Sequence, residues 1–302
     1  MIKIERILCP MDPSAERDGA LRYALALAQA YEAKLILLYC RRPTYIAEWV
    51  VGSDAKRLFE QALFTLRDGL DLKQLNWESI TAEGDDVGLT IAEEAAKRNT
   101  DLIVMQSRRR PHAAMLLGST AETVSRKAPC PVLVTHPRER EWVSASTSEI
   151  DLHRVLVAHD FSPDSELALN YGASLAQEYQ AEVHLVHVIS GQEQEEPEVA
   201  WSHAGLESLY TSAANRLQQA VPKEVFLWCK LVNVVRRGHP AEEILAYGKE
   251  HEVDLICMGA SGLGFKLGAL FGSTVDRVLR QAPCPVLVAR PVKPAATSAK
   301  AV

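Results

Sequence analysis

The stretch MGASGLGFKLGALFGST, Met258 to Thr274, holds the residues whose types and spacing could do chemistry. Gly259, Gly262 and Gly272 supply backbone with no side chain, and Ser273 and Thr274 supply hydroxyls. Glycine lets the main chain come close to a ligand and turn its N–H groups inward, and a following helix adds the positive end of its dipole. Together these groups can seat phosphate without a dedicated cation. Ser273 and Thr274 stand where a helix cap and first turn would be, so their hydroxyls either cap the helix or donate to phosphate oxygens. On this stretch alone, a flexible surface loop with an ordinary cap explains the composition as well. Lys266, the loop's one cation, either screens phosphates or lies exposed.

Spacing narrows the choice. G-x-x-x-x-G-K-[ST] is absent, because Ala269 and Ser273 follow Gly268 and Gly272. G-x-G-x-x-G fails because Leu267 stands at the third glycine position after Gly262 and Gly264. The pattern that fits is G-x2-G-x9-G-[ST], carried by Gly259, Gly262, Gly272 and Ser273.

Such a loop needs a strand before it and a helix after it. An apolar run from Val253 to Cys257 precedes it, and a helix-like run from Ser273 to Gln281 follows. The same succession occurs earlier, because the chain repeats itself. The segment from Arg6 aligns without a gap to the one from Arg154, pairing Asp12 with Asp160, Ser14 with Ser162, Tyr23 with Tyr171 and Tyr31 with Tyr179. Further on, DLIVM at Asp101 pairs with DLICM at Asp254, GST at Gly118 with GST at Gly272, and APCPVLV at Ala128 with APCPVLV at Ala282. Two copies of one domain, fused head to tail, account for this.

In the second copy, strands are expected over Arg154–His159, Glu182–Ile189, Phe226–Val235, Asp254–Met258 and Pro285–Ala289. Helices are expected from Pro163, over His203–Ala220 and over Pro240–His251, and the acidic segment Glu193–Glu198 reads as a loop. Alternating strands and helices imply an α/β fold with right-handed crossovers and a parallel sheet covered on both faces. Ligands bind such sheets beyond the carboxyl ends of the strands, where strand order reverses. Asp160 and Gly259, each at a strand end, would face that crevice. Asp160 either caps the next helix, a role open to Ser162 too, or accepts from ribose or adenine donors; Gly259 at the partner strand end favours the ligand role. His159 and His239 lie near the crevice and are assigned no role. Residues 138–150 read as a polar linker, and 292–302 as a mobile tail with too little apolar surface to pack.

Composition excludes several classes. A net charge of −6 over 302 residues argues against nucleic acid or an anionic membrane as the main partner. No apolar run is long enough to span a bilayer, and MIKIERILCPMD lacks the apolar core of a secretory signal. Six cysteines in mostly apolar contexts, with no C-x-x-C and no Cys/His cluster at metal spacing, point to buried thiols in the cytoplasm.

The glycine spacing resembles the ATP-binding signature of the universal stress protein family, and with the repeat both halves look like domains of that family. The resemblance implies two tandem Rossmann-like domains, each a five-stranded, mainly parallel sheet with helices on both faces: residues 1–137, and residues 151–291 with the ATP-binding loop. It implies ATP as ligand in the second domain, with Mg2+ carried by the nucleotide. Asp160 would contact the adenosine part, Val188 at the end of the second strand would meet adenine through its backbone, and Met258, at the end of the fourth strand, would belong to the same ATP-binding set. Gly259, Gly262 and the Gly272-Ser273-Thr274 corner would hold ribose and phosphates. Members commonly dimerise through the last strand. The two halves are therefore expected to pair within one chain, and further association into a homodimer stays open.

The first copy departs where it matters. Gln106 and Arg109 fall at the first two glycine positions, although Asp12, Gly118, Ser119 and Thr120 remain. Side chains there would crowd a backbone-lined phosphate seat, so the first half is expected to bind no ATP. Arg108, Arg109 and Arg110 bind an anion by charge or coat the surface. The leading functional expectation is a nucleotide-dependent stress-response or signalling module without enzymatic turnover. A slow ATPase or autokinase and a pure interaction protein are the alternatives. Phosphoryl transfer needs metal-holding carboxylates, and the loop from Met258 to Thr274 has none; Asp276 lies just inside the helix.

Overall fold

The computed structural model describes residues 2–12, 19–42, 46–66, 74–107, 118–137, 139–144, 149–190, 203–222, 225–262 and 272–291. Lys266, Arg108–Arg110, the segment Glu193–Glu198 and the tail 292–302 lie outside them. The first half runs β1 (Arg6–Pro10), α1 (Gly19–Ala30), β2 (Lys34–Arg41), α2 (Ile46–Leu66), β3 (Trp77–Glu83), α3 (Val87–Lys97), β4 (Leu102–Gln106), α4 (Ser119–Lys127) and β5 (Val132–Thr135). The second runs β6 (Arg154–Ala158), α5 (Pro163–Tyr179), β7 (Glu182–Ile189), α6 (His203–Ala220), a short α7 (Val225–Trp228), β8 (Leu231–Arg237), α8 (Pro240–Glu250), β9 (Leu255–Gly259), α9 (Ser273–Gln281) and β10 (Val286–Ala289).

All ten strands form one sheet in the order β3-β2-β1-β4-β5-β10-β9-β6-β7-β8. Pairing within each half is parallel. The halves meet where β5 and β10 pair antiparallel, Leu133 opposite Leu287. The two Pro-Cys-Pro-Val-Leu-Val segments therefore satisfy each other's edges, which removes an exposed edge from each domain.

Both faces of the sheet's inner strands are buried, which is why those strands read as continuous apolar runs, while the outer strands β3 and β8 are only half-buried. One face packs Ile7, Leu35, Val155 and Cys257 against α1 and α5; the other packs Leu8, Ile36, Leu156 and Met258 against α4, α8 and α9. Each cluster draws residues from both halves. The repeat also recurs in its fine structure. Asp101 Oδ2 accepts from the N–H groups of Glu5 and Arg6 at 2.8 and 2.9 Å, and Asp254 Oδ2 from those of His153 and Arg154 at 3.0 and 2.8 Å.

Two expectations need correction. The run from Phe226 does not open a strand: Val225–Trp228 is a helical turn, and β8 starts at Leu231. Seven residues suffice to pair with β7, from Leu231 opposite Val183 to Arg237 opposite Ile189. The preceding turn buries Cys229, whose thiol reaches the Ala173 carbonyl at 3.7 Å. Nor does the segment between the copies behave as a free linker. Trp142 is 2% exposed, its ring edge-on to Tyr23 at 4.8 Å and its backbone N–H donating to the Tyr23 hydroxyl at 3.2 Å. Val143 and Ile150 form an antiparallel bridge, so one large aromatic outweighs the polar composition around it.

Candidate functional site

β6 and β9 are neighbours, with Ala158 in register with Met258. From that pair the chain of β6 departs toward β7 and that of β9 toward β10, so their carboxyl ends bound the crevice where strand order reverses. Asp160, Gly259 and Gly262 all come to this place. Ser162 is the N-cap of α5 and accepts from the Ser165 N–H at 3.2 Å. Asp160 does not cap the helix. Its Oδ1 accepts from the N–H of Ser162 at 3.1 Å and from its hydroxyl at 2.5 Å, which fixes the carboxylate while Oδ2 faces the glycine loop.

The glycines serve different needs. A Cβ on Gly262 would lie 2.4 Å from Asp160 Oδ2, so a side chain there would close the space over the carboxylate. At Gly259 the obstacle is α5 itself: a Cβ would meet the Asp164 carbonyl carbon at 2.6 Å and the Ser165 nitrogen at 2.8 Å. Glycine at this strand end lets the helix start approach the sheet. That approach brings Asp164 Oδ2 within 3.1 Å of the Ser261 N–H, holding the backbone between the two glycines. Gly272 is the N-cap of α9 and makes no side-chain cap bond, with Ser273 exposed and Thr274 half-buried as the first helical residues. Ser273 therefore follows the cap position; it does not fill it. With a glycine there, no side chain competes for the first-turn amides.

Val188 is the penultimate residue of β7, one short of the strand end, and Met258 the penultimate residue of β9; both side chains are buried in the face that carries α8 and α9. Phe161, beside Asp160, adopts a left-handed φ of 64° and accepts a guanidinium over its ring, Arg216 lying 3.7 Å from the centroid. His187 lies 4.5 Å from the same ring and His159 5.2 Å. His159 is buried, and that burial pushes its pKa down to about 4 against the opposing Asp160 charge. Its Nδ1 accepts from the Phe161 N–H at 3.2 Å, and its carbonyl accepts from His187 Nδ1 at 2.8 Å. His239 is the N-cap of α8 and makes no side-chain cap bond.

Sequence reasoning missed Asp164, Phe161 and Arg216. A signal existed for the first, an acidic residue in the opening turn of the helix that must pass the Gly259 strand end. None existed for Arg216, which reaches the site from a helix more than fifty residues away.

The first half resolves the same corner differently. Gln106 ends β4 where Gly259 ends β9, and its side-chain oxygen accepts from the Gly19 N–H at 2.9 Å. A side chain thus bonds the first helix of its half, where in the second half α5 comes against a bare glycine. Gly118 still caps α4, its N–H 3.5 Å from the Ser107 hydroxyl. Among the described residues no cluster of His, Cys, Asp or Glu suits a metal ion, and no helix is long and apolar enough to cross a membrane.

A family model described as the Universal stress protein family matches residues 3–136 and again 152–290. A universal stress protein of Mycolicibacterium smegmatis is 27% identical over 299 residues, covering 94% of this chain and 97% of that one. Another, from Mycobacterium tuberculosis strain H37Rv, is 34% identical over 176 residues, 58% of this chain and 56% of its own. The crystal structure of a universal stress protein from Archaeoglobus fulgidus superposes with a TM-score of 0.64 at 22% identity, covering 95% of this chain and 98% of that one. A structure from Pseudomonas aeruginosa UCBPP-PA14 gives 0.68 at 20%, covering 96% and 94%. At those identities the superpositions establish the fold.

Proposed function

The chain belongs to the universal stress protein family, and from that premise we propose that its C-terminal half binds ATP and acts as a nucleotide-dependent stress-response or signalling module. One observation carries the reading: at the switch point the second half presents bare backbone over an oriented carboxylate, and the first half presents a bonded glutamine side chain. The residues fit the ligand. Asp160, already turned by Ser162, accepts from donors on the adenosine part, and the backbone at Val188 and Met258 lines the base side. Gly259, Gly262 and the Gly272-Ser273-Thr274 corner offer N–H and hydroxyl donors to phosphate oxygens. Mg2+ travels with the nucleotide and neutralises its phosphates. Six free cysteines are consistent with work in the cytoplasm.

Binding is favoured over turnover by the state of Asp276, the acidic residue nearest the loop in sequence. Both its oxygens are held by Arg280, at 2.9 Å from Nε and 2.8 Å from Nη2, a bidentate pair that withdraws it from metal binding.

Thermal unfolding with and without MgATP tests the reading. A ligand that binds only the folded chain at a hundredfold excess over its Kd stabilises by about 2.7 kcal/mol. The wild-type Tm should rise, and Gly262→Asp, which puts a second carboxylate against Asp160, should remove the rise. An unmoved wild-type Tm at saturating MgATP would sink the proposal.

A further inference from the structure

The seam between the halves passes close to the glycine loop. Ala289, the last residue of β10, is in register with Gly259, and its carbonyl accepts from the Ala260 N–H at 3.0 Å. The next residue, Arg290, turns the other way. Its Nη1 donates to the carbonyls of Arg126 and Ala128 in the first half, at 3.1 and 2.7 Å. These end α4, the helix that opens at the degenerate Gly118-Ser119-Thr120 corner, and a cation suits the negative end of its dipole. Burial lowers the pKa of the guanidinium, and the Asp164 carboxylate opposes that shift. Asp164 is the group that holds the Ser261 N–H.

The counterpart behaves differently. By the Ala128/Ala282 alignment, His136 occupies the place of Arg290, and its Nδ1 lies 3.3 Å from Glu139 Oε2.

We propose that Arg290 is a positioning residue through which the N-terminal half sets the geometry of the nucleotide loop: α4 holds the guanidinium, the guanidinium fixes the end of β10, and β10 fixes Ala260 between Gly259 and Gly262. The inference rests on nucleotide binding by the C-terminal half. It gives the first half a regulatory task, since anything that shifts the last turn of α4 is felt at Ala260. Linkage makes the effect reciprocal, so ligand at the loop must also steady α4.

The experiment uses the full chain and MgATP, with Arg290→Ala and Arg290→Lys, reading Kd by calorimetry and amide exchange in the last turn of α4. Arg290→Ala should weaken MgATP binding about tenfold, and Arg290→Lys, which keeps the charge and loses the two-carbonyl fork, by less. In wild type MgATP should slow exchange of the Ala128 amide, which bonds to Val124; in Arg290→Ala it should not. If Arg290→Ala does not fold, Arg290→Lys reads the same two quantities. A Kd within twofold of wild type, or Ala128 exchange indifferent to MgATP in the wild-type chain, overturns the inference and leaves nucleotide binding standing. A wild-type chain that binds no MgATP overturns both.

Discussion

Gly259 and Gln106 close the fourth strand of their halves in matching places, yet the corners they make have opposite uses. With no Cβ, Gly259 lets the start of α5 come against the sheet, and Asp164 then pins Ser261. Gln106 instead reaches the Gly19 N–H at the start of α1 with its own side chain. One corner keeps backbone without a side chain over the Asp160 carboxylate, and the other spends a side chain on an internal bond. A repeat can thus keep its fold while the same corner is built in two ways. The fold rests on sheet pairing and two buried faces, whereas the proposed site rests on the side chains that Gly259 and Gly262 lack.

Exchanging these residues should break the comparison most severely. Gly259→Gln places side-chain atoms into the α5 backbone at 2.6–2.8 Å, and overpacking against main chain should cost about 3 kcal/mol or more in urea unfolding while abolishing MgATP binding. Tolerance of that substitution would show that the two corners are interchangeable after all.

Acid should separate the halves next. His159 is held neutral by burial, its pKa lowered from 6.5 to about 4, and Met11 stands at the equivalent place in the first half. Between those pH values the unfolded chain binds a proton that the folded chain does not. The stability is therefore fully present above pH 6.5 and lost as pH falls toward 4, on the order of 3 kcal/mol. Chemical denaturation of the wild type across this range should show the loss, and His159→Asn should flatten the curve; parallel curves would remove His159 from the account.

Asp160 and Asp12 offer a comparison at the site itself. Asp160→Ala should lower MgATP affinity by tenfold to a hundredfold, as expected when a charge-assisted bond worth about 1.5–3 kcal/mol is lost. Asp12→Ala should leave it within twofold, and equal losses in calorimetric titration would place a ligand in both halves. The smallest effect belongs to Gln106→Gly. Losing the bond to Gly19 should cost about 1 kcal/mol in thermal unfolding, and the variant should gain no nucleotide affinity, because Arg109 still follows.

Much of this was legible in the chain. The repeat, the alternation of strands and helices and the edge pairing of the two Pro-Cys-Pro segments follow from local pattern and from the need to cover apolar faces. So does the convergence of Asp160 with Gly259, because strand ends at a switch point meet by topology. The short helix at Val225–Trp228 was misread because an apolar run of that length suits strand or turn equally, and the length of β7 decides between them. Trp142 was passed over because its neighbours are polar, and composition averages away a single anchor.

By itself, the sequence determined that two like domains share one chain and that only the second keeps the glycine spacing, since periodicity and residue type are local properties. Tertiary structure decided what those glycines are for. Gly259 yields to a helix and Gly262 to a carboxylate, and Arg290 spans the seam to Arg126 and Ala128. Such facts depend on which atoms approach from distant parts of the chain, and no spacing along it encodes the distance at which they stop.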